Sequence, residues 1–190
     1  DIIGIILTKY IMAKYPKSTI VYDIRSTKAL PELVESLGGT AIQEKVGHTF
    51  IRTTMREHDA VLGIELAGHF FFKESFFSEG GPLPAFMVME VMKKEQKTLS
   101  ELAAEAKVYF PSTEINSEIS RKPEDIFAEL RGVFSDADLR DKDGLSIHYS
   151  DWWCNIRPSA NDPVMRMNLE ADTQELMEEK RDQVLKIIRS

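Results

Sequence analysis

Apolar positions along the chain recur in two rhythms, and the alternation between them sets out its elements. Ile3, Ile6, Leu7, Tyr10 and Ile11 fall at the spacing of an amphipathic helix, with Asp1 placed to cap it and Pro16 to end it. The run TIVYDI, Thr19 to Ile24, predicts a buried strand, and Arg25 and Ser26 follow at its carboxyl end. Leu30, Leu33, Val34 and Leu37 form the next helical face, stopped by Gly38 and Gly39. TAIQEK then predicts a short strand, a helix carries Phe50, Ile51, Met55 and His58, and VLGIE predicts another strand. Helix alternating with strand describes an α/β unit whose crossover connections favour parallel pairing. The turn-rich KESFFSEGGPLP follows, with Pro82 and Pro84. A helix over Ala85 to Lys94 comes next, and a short one in TLSELAAEA lies behind the capping-box pair Thr98 and Glu101.

The rhythm changes after VYFPS, where Pro111 marks a hinge and divides residues 1–108 from 109–190. TEINSEIS alternates as a strand does, Pro123 to Arg131 reads as a helix stopped by Gly132, and DADLRDKDG reads as a solvated turn. Strands are predicted in LSIHYS, WWCNIR and VMRMNLEA. Asp172, with Glu175, caps a last helix faced by Leu176, Val184, Ile187 and Ile188. The expected fold class is thus α/β, a three-layer domain with a mixed sheet, followed by a smaller α+β domain with a mostly antiparallel sheet.

Charge narrows the function. Lys+Arg 24 against Asp+Glu 31 gives a formal net charge of -7, which speaks against nucleic acid or an anionic membrane as partner. A few converging cations can still hold a small anion. No apolar run approaches a membrane span. The single cysteine, Cys154, lies in an apolar strand run and reads as a core thiol in a reducing compartment, consistent with a cytoplasmic protein. The chain opens at Asp1 inside a predicted helix, so a fragment of a longer polypeptide is expected.

Three polar clusters interrupt the apolar pattern. GIELAGHFFFK, Gly63 to Lys73, sets Glu65 and the glycine-flanked His69 into a strand pattern that needs neither; KVGHTF and NIRPSANDPVMR are the others. Polar clusters at turns between apolar runs describe a site assembled from distant loops. An ionised Glu65 only accepts hydrogen bonds and suits a vicinal diol. Arg25, Lys45, His48 and Lys73 are cations or potential cations placed by the pattern near the same rim, suiting a negatively charged substrate. In the third cluster the Arg157 fork matches phosphate oxygens, and Ser159 and Asn161 add side-chain donors to a turn of backbone N–H groups. Asp162 must point away from such an anion. DADLRDKDG fails as a calcium loop because its glycine falls too late and no glutamate closes it. The histidines lack the spacing of a zinc site.

Taken together, these residues resemble the α-D-phosphohexomutase family of phosphomannomutase and phosphoglucomutase type. GIELAGHFFFK resembles the family's GEMSGH sugar loop and KVGHTFI its KTGH element. YDIRST resembles its YDVK strand end, and NIRPSANDPVMRMNLEA its RxSNTEP phosphate loop. The resemblance implies residues 1–108 as the family's third, sugar-binding domain and 109–190 as its fourth, phosphate-binding domain. It implies that the parent interconverts hexose 1-phosphate and hexose 6-phosphate, of mannose or glucose, through a phosphoserine and a bisphosphorylated intermediate. It also implies magnesium held outside this chain, and no cofactor on this chain itself. Neither the serine motif nor the DGDxDR-type metal loop occurs here, so the missing N-terminal domains of the same polypeptide become partners and the fragment alone is expected to be inactive. By matched position, Arg25 and His48 lie near the reacting end. Lys45, Glu65, His69, Lys73, Arg157, Ser159, Asn161 and Arg166 are implied as substrate contacts. Ala67 stands where the family has serine, Arg25 where it has lysine, Asn161 where it has threonine, Asp162 where it often has glutamate, and Glu79–Gly80 where it has an aspartate pair. These departures keep open the alternative of a divergent or non-catalytic sugar-phosphate binding module.

Overall fold

An unbroken apolar strand needs cover on both faces, and the first strand of this chain has it. The computed structural model describes residues 1–159 and 162–190. It divides the chain into two compact units, Asp1–Val108 and Tyr109–Ser190.

Unit 1 begins with α1 (Ile2–Lys14), β1 (Thr19–Asp23), α2 (Ala29–Ser36), β2 (Thr40–Glu44), α3 (His48–Glu57) and β3 (Leu62–Ile64). It continues with β4 (Phe70–Phe72), a 3-10 turn (Lys73–Ser75), β5 (Ser78–Glu79), α4 (Leu83–Glu95) and α5 (Leu99–Ala106). The sheet order is β2-β1-β3-β4-β5. β1 pairs in parallel with both β2 and β3, whereas β4 and β5 return antiparallel, so the sheet is mixed. Alternation sends Val21 and Phe71 to one face, where Ile51 and Met55 of α3 cover them. Gly63 lies on that face because α3 comes so close that a Cβ there would sit 2.4 Å from the Met55 sulfur. On the opposite face Gly4 of α1 packs against Ile64 and Phe70.

Three expectations change in unit 1. α1 is buried on most sides rather than amphipathic, because β3, α2, α4 and α5 all pack on it. The Asp1 side chain does not cap α1 but accepts the Thr27 N–H at 3.1 Å. KESFFSEGGPLP is also more ordered than a loop, since it holds the 3-10 turn and β5. The Thr98–Glu101 capping box is present as the spacing predicted.

Unit 2 contains β6 (Phe110–Pro111), β7 (Ile115–Glu118), α6 (Pro123–Val133), β8 (Asp138–Arg140), β9 (Leu145–His148), β10 (Trp152–Pro158), β11 (Val164–Ala171) and α7 (Gln174–Ile188). Its sheet is antiparallel throughout, in the order β6-β11-β10-β9-β8, with β7 also on β11. One face carries Ile147, Cys154, Ile156, Met165, Met167 and Leu169 against Ile126, Leu130 and Phe134 and the apolar face of α7. Burial pushes the Cys154 thiol up, which keeps it protonated and unreactive.

Pro111 is not a free hinge, for it pairs opposite Glu170 inside β6. Gly132 does not stop α6, because the buried Phe134 extends the Ile126–Leu130 face by another turn. DADLRDKDG contains β8 instead of a turn alone. α7 is capped by Thr173, whose Oγ1 accepts the Leu176 N–H at 3.2 Å, and not by Asp172.

Candidate functional site

Asp23 ends β1 with no exposed surface, and a carboxylate so placed needs donors. It accepts the Arg25 N–H at 2.8 Å, Arg25 Nε at 3.1 Å, Arg25 Nη2 at 2.6 Å and the Leu66 N–H at 3.0 Å. One buried carboxylate therefore aims Arg25 and ties the end of β1 to the loop after β3. That loop closes on itself, with the Glu65 N–H donating to the His69 carbonyl at 3.0 Å and the Gly68 N–H to the Glu65 carbonyl at 2.9 Å. The Glu65 carboxylate, buried in turn, accepts the Gly47 N–H at 3.1 Å. Gly47 precedes α3 at φ 132°, a conformation that favours glycine. The carboxyl ends of the three parallel strands are thus joined by two carboxylates, at the sheet edge where α/β folds place ligands.

Above this junction lies an open cleft of about 460 Å³, lined among others by Arg25, His48, Arg52, Glu65, Ala67 and His69. Four residues singled out in the sequence, spread from Arg25 to His69, are brought together here. Arg52 was not anticipated. It lies one turn after His48 on α3, and that i, i+4 spacing is the signal that could have found it. Its Nε donates to the Phe77 carbonyl at 2.7 Å.

Two expected members do not join them. The exposed Lys45 sets its ammonium 5.8 Å from the centre of the Phe50 ring and is not among the residues lining the cleft. Lys73 lies at the other end of the sheet: β4 runs antiparallel to β3 with Phe72 opposite Leu62, so Lys73 returns to the start of β3 and pairs with Asp59 at 2.6 Å. A hairpin register separates residues that a linear reading places on one rim.

His69 Nδ1 and Glu79 Oε1 lie 2.8 Å apart, and this bond, aided by the negative charges of Glu79 and Glu65, raises the His69 pKa above its ordinary value. His69 should therefore titrate above pH 6.5 in the folded chain and fall back in Glu79→Gln, as read from its ring carbon shifts over a pH series. Because the folded value is raised, the pair's contribution is fully present below the unfolded pKa and is lost as pH rises through the folded one. Both side chains are about half exposed, so solvent screening keeps that contribution below about 1 kcal/mol.

Unit 2 assembles a different group. Arg157 on β10 and Arg166 on β11 stand directly opposite each other. Between them lies Glu114, just before β7, accepting Arg157 Nη2 at 2.9 Å and Arg166 Nη1 at 3.1 Å. Arg166 Nη2 is 3.4 Å from Ser159 Oγ, and the Ser159 N–H donates to the Val164 carbonyl at 2.9 Å. Asp162 is exposed, and Asn161, the remaining expected donor, lies outside the described residues. Glu114 was missed: a lone glutamate ahead of a strand carries no local signal, and only the pairing of β7 with β11 brings it to the arginines. Among the described residues no group of three or more His, Cys, Asp or Glu side chains could hold a metal ion. Nor is any helix among them long and apolar enough to cross a membrane.

Residues 1–109 match the profile of phosphoglucomutase/phosphomannomutase, alpha/beta/alpha domain III, and residues 114–187 that of phosphoglucomutase/phosphomannomutase, C-terminal domain. A phosphomannomutase of Methanocaldococcus jannaschii is 39% identical over 188 residues, covering 99% of this chain and 42% of that protein. The chain thus spans about two-fifths of the length of this relative. A phosphoglucomutase/phosphomannomutase family protein of Burkholderia thailandensis shares the fold with a TM-score of 0.82 at 23% identity, over 98% of this chain and 40% of that one. The Aspergillus fumigatus N-acetylphosphoglucosamine mutase, solved in complex with glucose 1,6-bisphosphate, shares it with a TM-score of 0.71 at 13% identity, over 99% of this chain and 42% of that one.

Proposed function

The chain belongs to the phosphoglucomutase/phosphomannomutase family, and on that premise we propose that it supplies the sugar-binding and phosphate-binding parts of an enzyme interconverting hexose 1-phosphate and hexose 6-phosphate. The observation that carries this reading is the gathering of Arg25, His48, Glu65 and His69 around one cleft at the carboxyl ends of β1, β2 and β3. Glu65 accepts hydrogen bonds from sugar hydroxyls. Arg25, held by Asp23, offers charge to the transferring phosphoryl group, and His48 and His69 supply groups able to hold or move a proton. In unit 2, Arg157, Arg166 and Ser159 bind the phosphate that is not reacting, with Asn161 beside them in sequence. The ligand in the Aspergillus structure, glucose 1,6-bisphosphate, is of the class this reaction would pass through. The phosphoserine and the magnesium belong to domains that these 190 residues do not include. Magnesium would supply charge neutralisation there, and the residues here bind and orient. The lone buried thiol is in keeping with action in the cytoplasm.

A titration of the isotope-labelled chain tests the proposal. Mannose 6-phosphate or glucose 6-phosphate should shift the amides of Gly47, Glu65 and His69 in unit 1 and of Ser159 and Val164 in unit 2. Unphosphorylated mannose should leave the second set in place. Unmoved amides in both sets at saturating sugar phosphate would sink the reading. In a coupled assay the chain alone should not interconvert the two mannose phosphates, and turnover that copurifies with it and disappears in Glu65→Ala would overturn that division of labour.

A further inference from the structure

Two arginines directly opposite on neighbouring strands repel each other, and the register of β10 and β11 places Arg157 and Arg166 in that position. A single carboxylate resolves it. Glu114 gives Oε2 to Arg157 at 2.9 Å and Oε1 to Arg166 at 3.1 Å, so each oxygen serves one guanidinium. The Arg157, Arg166 and Glu114 side chains are 13%, 30% and 24% exposed, which keeps the group largely out of bulk water and strengthens its electrostatics. Two oxygens of one anion bridging two guanidinium forks is also the pattern a phosphate would satisfy. The trio's formal charge is +1, so it still attracts an anion, though less strongly than two arginines alone.

We infer that Glu114 is a built-in anion of the phosphate clamp: it holds Arg157 and Arg166 in register while the site is empty, and it competes with phosphate for their donors. The inference rests on the reading of the Arg157 turn as a phosphate site. Glu114 is a positioning residue that sets how tightly phosphate is held. A clamp that must release its phosphate between half-reactions gains from such a competitor, because affinity bound up in the resting complex slows exchange.

Inorganic phosphate is the probe. It is titrated into the 190-residue chain at low ionic strength, followed by the Nε–Hε resonances of Arg157 and Arg166 and by the carboxyl carbon of Glu114. Glu114→Gln should bind phosphate about fivefold more tightly than the wild type, with a steeper loss of affinity on added salt, since a negative charge beside the ligand has been removed. Glu114→Asp, which keeps the charge, should stay near the wild-type affinity. A purely structural role predicts the opposite sign for Glu114→Gln, a looser site that binds more weakly. Arg157→Ala separates the two levels of the argument. If wild type and Arg157→Ala bind phosphate equally, or neither binds, the clamp reading falls and this inference with it. If Arg157→Ala loses binding while Glu114→Gln binds no more tightly than wild type, the clamp stands and the competitor role of Glu114 is overturned. Should Glu114→Gln not fold, the wild-type chain decides alone: the Glu114 carboxyl carbon must shift on phosphate addition, and a stationary resonance rejects the competition.

Discussion

Asp23→Ala should lower the stability of unit 1 by about 3 kcal/mol or more. The side chain is fully buried, and its removal takes two bonds from the guanidinium of Arg25, a side chain only 9% exposed, and strips the Leu66 N–H of its acceptor. Breaking a buried ion pair by deleting one partner costs far more than the net worth of the pair, because the remaining charge keeps its desolvation penalty. Asp23→Ala/Arg25→Ala should therefore be more stable than the sum of the two single losses predicts. Simple additivity within error would show that the two residues are not coupled. Both tryptophans, Trp152 and Trp153, lie in unit 2, so indole fluorescence would miss the effect. Hydrogen exchange of the Val21 and Tyr22 amides in β1 reports it directly. The same variant should weaken mannose 6-phosphate binding, since both Arg25 and the Leu66 backbone lose the anchor that places them beside the cleft.

Asp23 also shows where the sequence was legible and where it was not. TIVYDI reads as a buried strand from its apolar run alone, and the alternation of periods recovers β1, β2 and β3 with their intervening helices. The polar strands β5 and β8, two and three residues long, lack the apolar run that marks the equally short β3 and were hidden in stretches rich in turn residues. Helix ends went astray for a related reason. Asp172 and Gly132 have the right local chemistry for a cap and a stop, but Thr173, one residue further on, makes the cap hydrogen bond, and the packing of the buried Phe134 carries α6 past Gly132.

The site divides along the same line. Glu65 and His69 stood out because each breaks an apolar pattern, and both line the cleft. Asp23 did not stand out, since one acidic residue at a strand end two positions from an arginine looks like a surface pair until its burial is known. Lys73 was placed on the wrong rim because the β3–β4 register, not sequence proximity, decides which end of the sheet it reaches. Glu114 is the clearest case of non-local information: Arg157 and Arg166 are more than forty residues away in sequence, and the carboxylate finds them only through β7 pairing with β11.

Arg157→Ala should weaken mannose 6-phosphate binding by about 2 kcal/mol, roughly thirtyfold, whereas Ser159→Ala should cost about 1 kcal/mol, roughly fivefold. The difference follows from the donors. A guanidinium can present two parallel charge-assisted bonds to phosphate oxygens, each stronger than the single neutral bond a hydroxyl gives. With its side chain only 13% exposed, Arg157 would make those bonds in a medium that screens them weakly. The backbone bond from the Ser159 N–H to the Val164 carbonyl does not depend on the hydroxyl and is kept in that variant. Arg157→Lys retains the charge but loses the fork, and its affinity should fall between wild type and Arg157→Ala. The alternative is that Arg157 serves only to hold Glu114 and the end of β10. In that case its loss would shift the melting temperature of unit 2, followed by Trp152 and Trp153 fluorescence, and leave the dissociation constant unchanged. Calorimetric titration with mannose 6-phosphate and with mannose separates the two, for the free sugar should respond equally to wild type and variant if the missing free energy belongs to the phosphate.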